Sequence, residues 1–341
     1  MNGRDPRAQH QSNPTPFTDV HLDLPDRREG KIRISYGLDD RHRLMITTDR
    51  ISAFDRVLGA VAYKGQVLNQ LGGFWFAQLA DLTAHHYVRE VDPNAQIVRT
   101  AIALPVEVVV RGYITGVTST ALWSRYASGD RVIYGHRLPE GLTKNSPLAT
   151  PLVTPTTKAG LAGDSTHDEP ITNAEVVSRG LVSASMWSEI HDLALGIYAR
   201  GTQIASKAGL ILADTKYEFG CDPDTGEVML IDEVHTPDSS RLWMADSYGE
   251  RIRSGAEPES LDKELLRLAL AEHHNDPDQI PADLLAEALE ASSPRYIRAF
   301  EQLTGTTFTP ASYPVEERLL ALRKDLSATS DPSDHRPDRI L

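Results

Sequence analysis

The sequence predicts an α+β fold. Short β-like runs crowd the first half, a charged hairpin follows near residue 215, and amphipathic helices fill the last third. Strands first and helices later argue against a doubly wound sheet.

The elements follow in chain order. Residues 31–36 and 44–48 are short β-like runs parted by the polar turn Leu38-Asp39-Asp40-Arg41. Leu68, Leu71, Trp75 and Leu79 recur at three- and four-residue steps, which predicts a helix over 67–82. Residues 104–110 form a β-branched strand interrupted only by Glu107. The stretch 135–170 is rich in Pro, Gly and Thr and reads as long functional loops. Thr172 and Glu175 have capping-box spacing, Trp187, Ile190, Ala194, Ile197 and Ile204 repeat at helical steps, and Gly209 is placed to end that helix. A hairpin is expected from 210–220 and 227–234 about the turn Asp222-Pro223-Asp224-Thr225-Gly226. Ser260, Pro281 and Ser293-Pro294 each open a helical pattern.

A chain of 341 residues allows two domains or one lobed domain. We divide it into a disordered tail (1–17), a β-rich part (18–105), an α+β part (106–326) and a polar tail (327–341). Lys and Arg number 35 against 48 Asp and Glu, so the formal charge is 35 − 48 = −13. Such a surface repels phosphate backbones and anionic lipid, so no nucleic-acid or membrane partner is expected. A small phosphorylated substrate in a locally basic pocket remains compatible. Cys221 is the only cysteine, which rules out an intrachain disulfide and argues against a cysteine-based metal site. No apolar run reaches the ~18 residues of a membrane span, and the N-terminus does not read as a secretory signal, so a cytoplasmic protein is expected. Walker A, Gly-x-Gly-x-x-Gly, His-Glu-x-x-His and Gly-x-Ser-x-Gly patterns are all missing. His85-His86 and His273-His274 lack helical ligand spacing and read as surface histidines.

The hairpin is the most informative stretch. Alternation puts Asp214, Lys216 and Glu218 on one strand face and Ala213, Thr215, Tyr217 and Phe219 on the other. If the turn centres on Asp224, Lys216 lies opposite Asp232 and Glu218 diagonal to it. A shift of two residues would pair Glu218 with Asp232, and an odd shift would substitute Glu233. Two close carboxylates repel unless a cation lies between them, and Mg²⁺ takes one or two carboxylates plus substrate phosphates. A solvated hairpin face with cross-strand ion pairs is the alternative.

Thr236-Pro237-Asp238-Ser239-Ser240-Arg241 follows, with Arg241 offering a fork for phosphate or carboxylate. Glu29-Gly30-Lys31-Ile32-Arg33 sets two basic side chains on one face after a glycine, a place where phosphates could be covered. Arg111-Gly112 adds another anion-binding arginine at a strand end. Thr154-Pro155-Thr156-Thr157-Lys158 and His167-Asp168-Glu169 decorate the long loop.

These segments, in this order, resemble the phosphoribosylaminoimidazole-succinocarboxamide synthase (SAICAR synthetase) family. Thr48-Asp49-Arg50-Ile51-Ser52-Ala53-Phe54-Asp55, Pro105 to Gly112, Ala213 to Gly220, and Ile231-Asp232-Glu233 to Arg241 extend the likeness over roughly residues 28–325. The resemblance implies a two-lobed fold with ATP between a β-rich and an α+β lobe. It implies ATP-dependent joining of L-aspartate to a carboxylated aminoimidazole ribonucleotide (CAIR), with Mg²⁺. It further implies Glu218 and Asp232 at the metal, and Gly30, Lys31 and Arg33 at the ATP phosphates. Arg111, Asp238, Ser239 and Arg241 are expected on the ribonucleotide, with Asp214 and Lys216 at the reacting groups, and Lys158 joins the substrate-binding residues by its place in the long loop. Ile34 stands where the family usually has aspartate, and Val117 where it commonly has a serine, whose hydroxyl Thr118 or Ser119 could replace. A related ligase or phosphotransferase acting on a different carboxylate, or a nucleotide-binding non-enzyme, would use the same residues. The sequence leaves the oligomeric state open.

Overall fold

The computed structural model describes residues 14–53, 56–118, 120–158, 160, 168–264, 266–268 and 279–328. Most of both expected tails, with Ser119, His167 and His273-His274, lies outside them.

The chain opens with β1 (Arg28–Glu29), β2 (Arg33–Gly37) and β3 (His42–Thr47), then the separate hairpin β4 (Arg50–Ala53) and β5 (Arg56–Ala60). Helix α1 (Lys64–Leu79) and strands β6 (Tyr87–Asp92) and β7 (Ala95–Arg99) follow. One antiparallel sheet has the order β1-β2-β3-β7-β6. Alternation in β2 buries Ile34 and Tyr36, which pack with Leu44 and Ile46 of β3 on Phe17, Val20 and Leu22. Phe17, at the end of the expected tail, is therefore core, and its amide donates to Asp49 at 2.8 Å.

Helix α1 buries Val67, Leu68, Leu71, Trp75, Phe76 and Leu79. It begins three residues earlier than the apolar spacing indicates, because its first turn, Lys64-Gly65-Gln66, is buried for polar reasons. A Cβ at Gly65 would meet the Thr47 carbonyl oxygen at 2.4 Å, so only glycine lets the helix start there.

β8 (Ile102–Tyr113), α2 (Leu122–Ala127), β9 (Val132–Ile133), β10 (His136–Arg137) and β11 (Pro147–Thr157) lead to the second sheet. The long-loop reading of 135–170 fails for β11, which pairs with β8 over most of its length. Its Pro147, Pro151 and Pro155 disguise it, yet β11 is an edge strand, where a missing N–H costs no ladder bond.

The segment 172–208 is two helices, not one: α3 (Asn173–Ser178), opened by the Thr172/Glu175 capping box, and α4 (Ala184–Lys207), capped by Ser183. Gly209, at φ 71°, closes α4 as expected. β12 (Leu210–Cys221), the turn at Asp222 and β13 (Val228–Ile231) form the hairpin. β14 (Ser240–Met244) then returns to β12.

The second sheet runs β11-β8-β12-β13, with β14 sharing the β13 edge of β12. β14 pairs with the first half of β12 and β13 with its end, so the edge opens near Lys216, whose amide instead donates to the Ser239 carbonyl at 2.9 Å. The segment between the two strands, 232–239, leaves the sheet at that gap. Tyr217 and Phe219 face the core as expected.

The last third is helical: α5 (Ala245–Arg253), residues 264 and 266–268, α6 (Ala282–Glu290), α7 (Ser292–Thr304) and α8 (Val315–Ala328). Ser260 bridges to Trp243, and the expected cap falls instead to Asp262, whose carboxylate accepts from the Glu264 amide at 2.8 Å. His86 is likewise not a surface residue: it is 3% exposed, packed on Phe76, with burial pushing its pKa down to about 3. No helix among the described residues is long and apolar enough to cross a membrane.

Candidate active site

The gap in the β12 edge opens into a cavity of about 890 Å³. Every site residue selected from sequence lines it except Ser119, which lies outside the described residues. Thr118 lines it as well, so a hydroxyl stands beside Val117.

The hairpin register is odd: Glu218 faces Ile231 and Phe219 faces Leu230. Plain alternation would then turn Asp232 away from the Lys216 face. Asp232 instead takes φ 67°, which ends β13 and lets its side chain line the cavity. There Arg33 donates to Asp232 at 2.5 Å and approaches Glu233 at 3.2 Å. Both arms of the register question thus meet in one place, and Arg33 spans the two carboxylates.

Lys216 donates to Glu107 at 2.6 Å and to Glu218 at 3.3 Å, while Lys158 is ion-paired with Glu218. Burial works against the Lys216 charge, but Glu218 and Glu107 reverse this and hold its pKa above the ordinary range. Burial likewise pushes the Glu218 carboxyl up, and Lys216 and Lys158 outweigh it, so Glu218 is held low. Asp232 keeps a raised pKa, with burial dominant and Arg33 only partly opposing it. The donor set here is all carboxylate oxygen, which suits a hard cation such as Mg²⁺. Among the described residues no group of three acidic, His or Cys side chains forms a ready metal cage. Mg²⁺ needs none, since substrate phosphates and water complete its shell.

A second wall is built from arginines. Asp214, 5% exposed, accepts from Arg241 at 2.6 Å and lies 3.7 Å from Arg111. Arg111 is steadied by Thr154 at 2.8 Å, and Arg241 donates to Glu264 at 3.1 Å, which also accepts from Arg267 at 3.0 Å. Carboxylates and guanidiniums alternate, so each arginine is fixed before an anion arrives. Asp214 therefore orients the two arginines.

Asp238 sits at the floor of the cavity. Its two oxygens accept from the buried Lys64 at 2.8 Å and from the Tyr296 hydroxyl at 2.5 Å, joining α1 and α7 to the 232–239 segment. Lys263 lies 4.0 Å from the same carboxylate. Lys64, Glu107, Lys263, Glu264, Arg267 and Tyr296 escaped the sequence reading of the site. Glu107, a charge inside an otherwise β-branched strand, carried a usable signal; Lys64 precedes the apolar repeat of its helix, and the others sit in helical patterns that local spacing explains.

Residues 26–283 match the family model described as SAICAR synthetase. The chain belongs to the SAICAR synthetase family. A phosphoribosylaminoimidazole-succinocarboxamide synthase of Legionella pneumophila is 43% identical over 308 residues, covering 89% of this chain and 96% of its own. The chloroplastic synthase of Vigna aconitifolia is 44% identical over 283 residues, covering 80% and 81%. Among solved structures, the Saccharomyces cerevisiae SAICAR synthase complexed with SAICAR shares 32% identity at a TM-score of 0.70, covering 86% of this chain and 100% of that one. A SAICAR synthetase in complex with ADP shares 25% at 0.62, covering 84% and 100%. Like the family, this chain is an ATP-dependent ligase of purine biosynthesis. Ile34, one of the two departures expected from the resemblance, is fully buried in the first sheet's core and supplies packing there.

Proposed function

We propose that this chain makes SAICAR from CAIR, L-aspartate and ATP by dividing the cavity between its two charged walls. The adjacency of the Lys216–Glu218–Asp232 cluster to the Arg111–Asp214–Arg241 wall carries this reading. The segment Gly30-Lys31-Ile32-Arg33 takes the ATP phosphates beside Asp232. Arg111, Arg241 and Ser239 take the ribonucleotide phosphate and sugar, and Lys158 its carboxylate end. The SAICAR and ADP complexes of relatives support both ligands.

Glu218 and Asp232 would hold Mg²⁺, which when bound neutralises polyphosphate charge. The chain's own residues do the positioning. A CAIR carboxylate oxygen bonds to the γ-phosphorus as the bond to ADP breaks, and Lys216, kept charged by Glu107 and Glu218, offsets the transferred charge. The aspartate amine then bonds to the acyl carbon, phosphate departs, and the amine proton is released. Arg33 must exchange part of its hold on Asp232 for phosphate as substrates enter. The two-lobed division, with the boundary near 105, and a cytoplasmic location belong to the same proposal.

Glu218→Gln and Asp232→Asn test it. Each is expected to cut turnover at least about a hundredfold while the fold is retained. Near-normal turnover in both would remove the metal assignment.

A further inference from the structure

The segment 232–239 leaves the sheet where the β12 edge opens, so strand pairing does not hold it. It nonetheless presents Asp232 to the cavity at one end and Ser239, with Arg241 just beyond, at the other. Its anchor is Asp238. That side chain is 1% exposed, and the protein itself engages both its oxygens. Oδ2 accepts from Lys64 of α1 at 2.8 Å and Oδ1 from the Tyr296 hydroxyl of α7 at 2.5 Å. The Lys64 ammonium also stands 5.7 Å from the centre of the Tyr296 ring, which closes a triangle of three groups. Lys64 and Tyr296 are both fully buried. Burial pushes the Asp238 carboxyl up, but Lys263, Lys64 and Tyr296 outweigh it and hold it below the usual carboxylate range.

A tight turn passes this hold along the chain. The Thr236 amide donates to the Ser239 hydroxyl at 3.2 Å and the Ser239 amide to the Thr236 hydroxyl at 3.3 Å. The Ser240 amide donates to the Thr236 carbonyl at 3.0 Å, so Ser239 and Arg241 move with Asp238. We infer that Lys64 and Tyr296 are positioning residues for the ribonucleotide: by clamping Asp238 they set the 238–241 turn before the substrate arrives. Asp238, whose carboxylate is spent on the clamp, then acts on the ribonucleotide through Ser239 and Arg241. Tyr296 lies beyond residues 26–283 that match the family model, so helix α7 enters the reaction through one hydroxyl. This deepens the proposed function and rests on it, since Ser239 and Arg241 are placed there on the ribonucleotide.

The experiment compares Tyr296→Phe, Lys64→Met, Asp238→Asn and the double variant Tyr296→Phe with Asp238→Asn against the parent. Steady-state KM values for CAIR and ATP are measured, with CAIR and ADP binding by calorimetry, and ADP binding reports whether each variant is folded. Tyr296→Phe keeps the ring and removes only the hydroxyl. It is expected to raise the CAIR KM and Kd about fivefold to tenfold, with the ATP KM within about twofold, and Lys64→Met should raise them further. The double variant should bind CAIR no worse than Asp238→Asn alone, because the hydroxyl acts through that carboxylate. Additive losses, an equal rise for ATP, or unchanged CAIR binding in folded Tyr296→Phe overturns the clamp. Loss of ADP binding in both Tyr296→Phe and Lys64→Met also overturns it, since the pair would then be a folding contact. A parent that turns over another carboxylate and not CAIR would instead overturn the function, while the same variants test the clamp on that substrate's KM.

Discussion

Arg241 shows how much a single side chain does here. Its Nη1 grips Asp214 and its Nε grips Glu264, so the fork is aimed by two carboxylates from different elements. A lysine could keep one of those partners and lose the planar second contact. Arg241→Lys is therefore expected to raise the KM for the ribonucleotide about tenfold while that for ATP moves less than about twofold. Equal changes in both would mean that the arginine serves neither substrate in particular. Arg241 was legible in sequence because it closes a dense polar motif beside the charged hairpin. Lys64, Lys263 and Arg267 were not, because a cation in a helix is commonplace and only the fold brings these to one cavity. Asp232 was legible as a residue but not as a geometry: its left-handed backbone undoes what an odd register would have imposed.

At the scale of elements, packing overrides local preference in several places. Helix α4 carries Gly201 in its interior, where alanine would ordinarily stabilise by about 1 kcal/mol. Here a Cβ would fall 2.1 Å from the His235 ring. That ring is fully buried, 2.6 Å from the Tyr217 hydroxyl and edge-on to Trp75 at 4.6 Å, so it has nowhere to retreat. Gly201→Ala should accordingly lower the unfolding free energy by about 1–3 kcal/mol in denaturant titrations. A variant as stable as the parent would show that α4 can slide. The strand hairpin and α1 were readable because their apolar spacing is regular. β11 was not, since three prolines mimic a loop and only its position at a sheet edge makes them harmless. The break between α3 and α4 did carry a signal that was passed over: Gly180, at φ 70°, closes α3 and Ser183 caps α4 three residues later.

Across the whole molecule, buried histidine links stability to pH. Burial holds the His235 imidazole neutral, its pKa lowered to about 3 from the ordinary 6.5. Between those values the unfolded chain binds a proton that the folded chain does not. Stability from this group is therefore intact above about pH 6.5 and falls with acidification, by up to about 1.4 kcal/mol per pH unit. The unfolding free energy of the parent relative to His235→Gln should fall as pH is lowered from 6.5 to 5. A difference that stays constant would mean that His235 titrates in the fold as it does in the unfolded chain.

The same whole-molecule view explains why an acidic protein can handle three anionic substrates. The chain carries −13 overall, whereas eight Lys and Arg side chains stand against seven carboxylates in the lining of this one cavity, so the site does not share the acidic balance of the whole. The most direct test of that account is ADP release by the purified chain with Mg²⁺-ATP, CAIR and L-aspartate, omitting each in turn. Release that requires all three, with SAICAR as product, is the expected result. Absent turnover with CAIR, together with ADP release on another carboxylic acid, would contradict it.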